Sequence, residues 1–165
     1  MSDYTTRPAE VGDAEAIRSI YNVEVLESTV TFDMVERSLT DQLDWIADHS
    51  GSYPAIVALD QHNQVVGFAS LTAYRPRPAY ATTVENSVYV DRQHRGKGLG
   101  VLLMEQLLVA AADHGFHSVI ARTVGDHTAS IALHKRVGFT EIGREVEVGR
   151  KFGKWLDVVV LQRMI

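Results

Sequence analysis

The stretch Ser87-Val88-Tyr89-Val90-Asp91-Arg92-Gln93-His94-Arg95-Gly96-Lys97-Gly98-Leu99-Gly100-Val101 decides how the chain is read. Its first residues close a run, Ala81–Val90, that alternates as a strand does. Val84, Asn86, Val88 and Val90 share one face, and Glu85, Ser87 and Tyr89 share the other. Its last residues open the longest helical pattern, Gly98–His114, which ends near Gly115. A glycine-rich turn from strand into helix presents unpaired N–H groups and the positive end of the helix dipole where no Cβ obstructs approach. With Arg95 and Lys97 beside it, the turn suits a pyrophosphate. The spacing is not Gly-x-x-x-x-Gly-Lys-Ser/Thr, which excludes a P-loop. Nor is it Gly-x-Gly-x-x-Gly at a first strand-to-helix turn, as a dinucleotide fold needs. It fits Arg/Gln-x-x-Gly-x-Gly/Ala, read on Arg95, Gly98 and Gly100.

Working outward, Tyr4–Arg7 is a short extended segment stopped by Pro8. Asp13 opens a helix with Ala14, Ile17, Ile20 and Tyr21 on one face, fading near Leu26; Glu27–Asp33 is a loop. Ser38 followed by Asp41 reads as a capping box, and Leu39, Leu43, Ile46 and Ala47 form the stripe of a second helix. Ala55–Leu59 and Val65–Tyr74 are strands joined by the polar turn Gln61–Gln64, and Arg75-Pro76-Arg77-Pro78 is a loop. Ser118–Val124 is a strand, Ser130–Val137 a short helix stopped by Gly138. Phe139–Val148 and Trp155–Met164 are the last strands, joined through Gly149–Lys154. The order β-α-α-β-β-β-α-β-α-β-β predicts a mixed α/β fold. It would be one domain over residues 1–165, a central twisted mixed sheet of about seven strands flanked by about four helices.

Composition narrows the function. At 165 residues, 45% of them hydrophobic, the chain can bury a core without staples. It has no cysteine, which excludes disulfides, thiolate metal sites and a cysteine nucleophile and fits a reducing cytoplasm. Sixteen basic residues against 21 acidic ones, a net charge of −5, argue against nucleic acid as partner. No apolar run approaches the roughly 18 residues of a membrane span, and the N-terminus shows no apolar leader segment. The seven histidines show no ligand spacing with carboxylates, so no metal is expected.

Arg95–Gly100 resembles the acetyl-CoA pyrophosphate loop of the GCN5-related N-acetyltransferases (GNAT). Ser130-Ile131-Ala132-Leu133-His134-Lys135-Arg136-Val137-Gly138-Phe139 resembles their second cofactor motif, Ser-Ile-x-Leu-Tyr/His-x-x-x-Gly-Phe. Three segments are more narrowly similar to the phosphinothricin and methionine sulfoximine acetyltransferases: Ser28–Phe32, Thr83–Val90 and Lys151–Val158. The resemblance runs from Arg7-Pro8 to the last strand. It implies the GNAT fold and direct transfer, in a ternary complex, from acetyl-CoA to the amine of a small amino-acid-like acceptor. Methionine sulfoximine, methionine sulfone or phosphinothricin would be typical. A cytoplasmic homodimer with a detoxifying role is implied too. The donor would lie against the backbone of Val88, Tyr89 and Val90, on Arg95, Gly96, Lys97, Gly98, Leu99 and Gly100, and near Ser130. His127 stands where the wider superfamily usually has Asn.

The chemistry sets requirements for the side chains. An amine with a pKa of roughly 10 is protonated at pH 7 and cannot attack, so a carboxylate within reach must take its proton. Glu85, in an otherwise neutral strand, is the candidate base; a solvent-facing strand carboxylate is the alternative. His134 is the candidate acid for the departing thiolate, or else a packing residue. Arg75 and Arg77 could grip an acceptor carboxylate bidentately, or be solvated loop charges; the resemblance gives Phe32 as an apolar wall. Two rival functions stay open. One is a protein or peptide N-terminal acetyltransferase with an open groove. The other is an acyl-CoA-binding module without turnover.

Overall fold

The computed structural model describes residues 4–165. The absence of a leader was read partly from Met1–Asp3, which lie outside the described residues. The strands are β1 (Thr5–Pro8), β2 (Ala55–Leu59), β3 (Val65–Ala73), β4 (Thr83–Val90), β5 (Ser118–Val124), β6 (Thr140–Lys151) and β7 (Lys154–Met164). The helices are α1 (Ala14–Glu27), α2 (Leu39–Asp48), α3 (Leu99–Asp113) and α4 (Thr128–Arg136). One sheet takes all seven strands in the order β1-β2-β3-β4-β5-β7-β6, as the mixed α/β reading requires.

Local chemistry starts α2 where expected. Ser38 Oγ accepts from the Asp41 N–H at 3.1 Å, and Asp41 Oδ2 accepts from the Ser38 N–H at 2.9 Å. This is the reciprocal capping box that opens α2. Helix α3 buries Leu103, Met104, Leu107 and Ala111 against Ile56, Leu71, Val84, Val119 and Leu161 on one face of the sheet. On the other face, Ile17, Ile20, Tyr21 and Val25 of α1 pack with Val57, Leu59 and Phe68. Leu103 is fully buried, so Leu103→Ala would cost about 2–5 kcal/mol.

The sheet has one narrow place. Pairing within β1-β2-β3-β4 and within β5-β7-β6 is antiparallel. Only β4 and β5 run parallel, and only Thr83–Glu85 pair with Ser118–Ile120. Beyond that the two strands part, and a cleft opens between Asn86–Val90 and Ala121–Val124.

The C-terminal hairpin corrects one expectation. β6 does not end at Val148 with a six-residue connection; it runs on to Lys151, and Phe152-Gly153 alone make the turn. Both have positive φ, 49° and 74°, as a two-residue turn matched to strand twist requires. Phe in that region is unfavourable by about 1–2 kcal/mol, and no Asn-Gly or Gly-Gly pair marks the turn in sequence. Register shifts at Glu141/Gly143 and Glu145/Gly149, with Glu147 at φ 50°, break the alternation that would reveal a long strand.

Candidate active site

The cleft between β4 and β5 continues into a cavity of about 480 Å³, within the range of small-molecule sites. Its far end is the start of α3. Gly96 and Gly98 have φ of 75° and 82°, and a Cβ on either would meet nothing within 4 Å. Glycine stands there for its backbone angle, and the space in front of it is open. The first helical bond runs from Leu102 N–H to Gly98 O at 3.1 Å. The N–H groups of Leu99, Gly100 and Val101 are therefore left for an anion, with the helix dipole behind them. Along the cleft, β4 from Asn86 to Val90 has no strand partner on its β5 side. A glycine cradle, an unpaired strand edge and a cavity of this size fit an extended nucleotide-linked chain such as acetyl-CoA.

Residues on both sides complete the wall. Val88, Tyr89, Val90, Arg95, Gly96, Gly98, Leu99, Gly100, His127, Ser130 and His134 all line this one cavity. Lys97, Phe32, Arg75, Arg77 and Glu85 do not. Arg75 lies over the rings of Tyr74 and Tyr80, at 5.0 and 5.8 Å, on the exposed connection before β4. Phe32 packs its ring against Gly149, so close that a Cβ there would collide with it. Glu85 occupies the last paired position of the β4–β5 ladder, where the cleft begins. It is half-buried, and its carboxylate has no hydrogen-bond partner among the described residues. Burial pushes its pKa up; the Arg122 guanidinium opposes that and Glu145 adds to it.

Both ring nitrogens of His134 are engaged. Its Nδ1 lies 2.8 Å from the Ser130 carbonyl oxygen. That oxygen can only accept, so Nδ1 carries the proton. The opposite nitrogen, Nε2, then accepts from Asn86 Nδ2 at 3.0 Å. The residue is 3% exposed, and burial lowers its pKa. Asn86 Oδ1 is left buried without a partner. His127 at the start of α4 also has a lowered pKa, first from burial and then from the charge of Arg95.

Several residues of this site escaped the sequence reading. Glu24 on α1 is 3% exposed, and its Oε1 accepts from Arg92 Nε at 2.9 Å and Arg95 Nη2 at 2.7 Å. Burial alone would raise its pKa; the bonds from Arg92 and Arg95 win and hold it at about 2. Arg95 also donates from Nε to Val90 O at 3.1 Å, so the guanidinium is anchored beside the cradle. The signal was available: Glu24 falls on the Ile17-Ile20-Tyr21 stripe, where a lone carboxylate needs a partner. Asn86 likewise stood out as the polar member of the Val84-Val88-Val90 face. Lys151, 3% exposed, donates from Nζ to Thr31 O at 2.9 Å and ties the hairpin tip to the loop after α1. The sequence places it in the connection Gly149–Lys154, where burial is not expected.

A strand forked from its neighbour beside a glycine-cradled helix start defines a site for a long anionic acyl carrier. The comparisons agree. The acetyltransferase (GNAT) family matches residues 17–139. An L-methionine sulfoximine/L-methionine sulfone acetyltransferase of Pseudomonas paraeruginosa is 40% identical over 157 residues, 94% of this chain and 91% of that protein. The crystal structure of a phosphinothricin acetyltransferase from Sinorhizobium meliloti in complex with acetyl-CoA superposes with a TM-score of 0.95 at 36% identity. It covers 99% of this chain and 89% of that one. A ribosomal-protein-alanine N-acetyltransferase from Brucella melitensis superposes with a TM-score of 0.94 at 33% identity, covering 98% and 99%. The chain belongs to the GNAT family and is an acetyl-CoA-dependent N-acetyltransferase. Among the described residues no cluster of histidines and carboxylates could hold a metal ion, and no helix is long and apolar enough to cross a membrane.

Proposed function

We propose that this enzyme acetylates the amine of a small amino-acid-like acceptor of the methionine sulfoximine, methionine sulfone or phosphinothricin type. The carrying observation is Glu85, a half-buried carboxylate without a hydrogen-bond partner at the point where β4 and β5 part. Its pKa, raised by burial, makes it a better proton acceptor than a solvated glutamate. Acetyl-CoA supplies the acyl group as a thioester. The amides of Leu99, Gly100 and Val101, with Arg95 beside them, suit its pyrophosphate, and Lys97, off the cavity wall, adds charge nearby; the free edge of Val88, Tyr89 and Val90 suits the arm and the acetyl oxygen. His127 and Ser130 bound the same space. His134 is neutral, and both its ring nitrogens are engaged within the protein, which favours a shaping role over proton donation. Phe32, Arg75 and Arg77 complete the acceptor side in this reading. A cytoplasmic, detoxifying homodimer belongs to it as well. Exposed Ile142, Val146, Val148, Phe152 and Trp155 along the β6–β7 hairpin support a self-associating face.

The likeness to the ribosomal-protein-alanine enzyme supports a second reading, with a protein N-terminus as acceptor. CoA release measured with acetyl-CoA and a panel of methionine sulfoximine, phosphinothricin, plain amino acids and short peptides separates the two. Turnover of the small acids without peptides is expected; turnover of peptides alone would replace this reading with the second.

A further inference from the structure

The cavity wall carries three arginines: Arg95, Arg122 and Arg136. Arg95 is anchored on Glu24 at the start of α3, and Arg136 ends α4. Arg122 lies elsewhere. It is two residues beyond Ile120, which pairs with Glu85, so its side chain leaves the sheet on the same face as Glu85. It is the cation that acts on the Glu85 carboxylate. Across the sheet it is met by Glu145 of β6: Nη1 donates to Oε1 at 3.2 Å and Nη2 to Oε2. Two of the five guanidinium N–H groups are thereby spent, and three remain free for another acceptor. The pair is partly exposed, with 31% and 36% of the two side chains accessible.

We propose that Arg122, held in plane by Glu145, reads the carboxylate that an amino-acid acceptor carries next to its reacting amine. In an α-amino acid one carbon separates the two groups. An ammonium delivered to Glu85 therefore brings its carboxylate to the neighbouring charge on the same face. A guanidinium already fixed by one carboxylate loses little freedom when it receives a second. Glu145 is a positioning residue: it touches Arg122 and not the acceptor. Its negative charge also balances Arg122 in the empty site, so a neutral acceptor gains nothing from displacing it. Arg75 and Arg77, off the cavity wall, are left to contacts farther from the amine.

This inference rests on the small-acceptor reading, and its test separates the two. Steady-state CoA release is measured for L-methionine sulfone and for its α-carboxamide, with wild type, Arg122→Gln, Arg122→Lys and Glu145→Gln. Wild type is expected to favour the acid by about tenfold or more in kcat/KM, the effect of one charge-assisted bond. Arg122→Gln should bring that ratio close to one, chiefly through KM for the acid. Arg122→Lys should recover part of it, and Glu145→Gln should lose a smaller part. A general structural role would depress both acceptors equally and keep the ratio, which would overturn the inference alone. So would collapse of the ratio in Arg75→Gln or Arg77→Gln with Arg122→Gln unaffected. If wild type turns over neither compound, the acceptor reading falls first and Arg122 with it. Thermal melts of each variant identify any that fail to fold, and the lysine variant then carries the test.

Discussion

Two glutamates flank this cleft, and the protein treats them in opposite ways. Glu24 is nearly inaccessible, yet two arginines bind one of its oxygens and its pKa falls to about 2. Glu85 is more open, yet no donor reaches its carboxylate and its pKa rises. Burial pushes both upward; partners decide the outcome. A carboxylate satisfied in this way fixes structure, as Glu24 fixes Arg92 and Arg95 beside the cradle. A carboxylate left unsatisfied keeps its lone pairs for a proton.

The comparison can be broken at its reactive member first. Glu85→Gln should lower kcat by roughly 10²–10³-fold with acetyl-CoA binding retained, as loss of a general base does. An unchanged kcat would return Glu85 to the role of an ordinary strand carboxylate. At the structural member, Glu24→Gln should destabilise the fold by about 2–4 kcal/mol, read as a drop in denaturation midpoint, with a weaker effect on kcat. A stability change below about 0.5 kcal/mol would show that the arginines need no anion there.

Acid sharpens the contrast. Glu24 has a lowered folded-state pKa, so its stabilisation is complete above about pH 4.5 and is lost as pH falls toward 2. Glu85 has a raised one, so activity should fall on acidification at a pH above 4.5, before that stabilisation is lost. Rate and circular dichroism followed together across pH 2–8 should show two separate transitions; a single shared one would mean that unfolding, not protonation of Glu85, ends activity. The smallest change is expected at His134. Glutamine can imitate its donor to Ser130 O and its acceptor for Asn86, so His134→Gln should cost less than about tenfold in kcat/KM. A loss beyond a hundredfold, with the basic limb of the pH profile gone, would restore the acid role.

Most of the frame was legible because it is written locally. The capping box at Ser38, the alternation of Thr83–Val90 and the glycines before Leu99 each act over a few residues, and the structure keeps them. The cofactor side of the site followed from one continuous motif. The ion pairs around the cleft did not, because they are assembled across distance: Arg122 meets Glu145 23 positions away, and Glu24 meets Arg95 71 positions away. Such pairs have no period. They show in sequence only as a charge on an apolar stripe, as with Glu24, or not at all, as with Arg122. The hairpin tip was missed for a different reason, since bulges at Glu141/Gly143 and Glu145/Gly149 erase the alternation by which a strand is recognised.

The three-residue seam between β4 and β5 gives the molecule a mechanical character. Two antiparallel halves meet there as two leaves meet at a short spine, and the cleft is the gap between their free edges. The second bridge is helical: α3 leans on the first half and α4 on the second, and they touch where Leu133 packs over Gly100. A methyl group at Gly100 would meet Leu133 Cδ2 at 3.0 Å. One missing side chain thus lets the helices of the two leaves touch at this point.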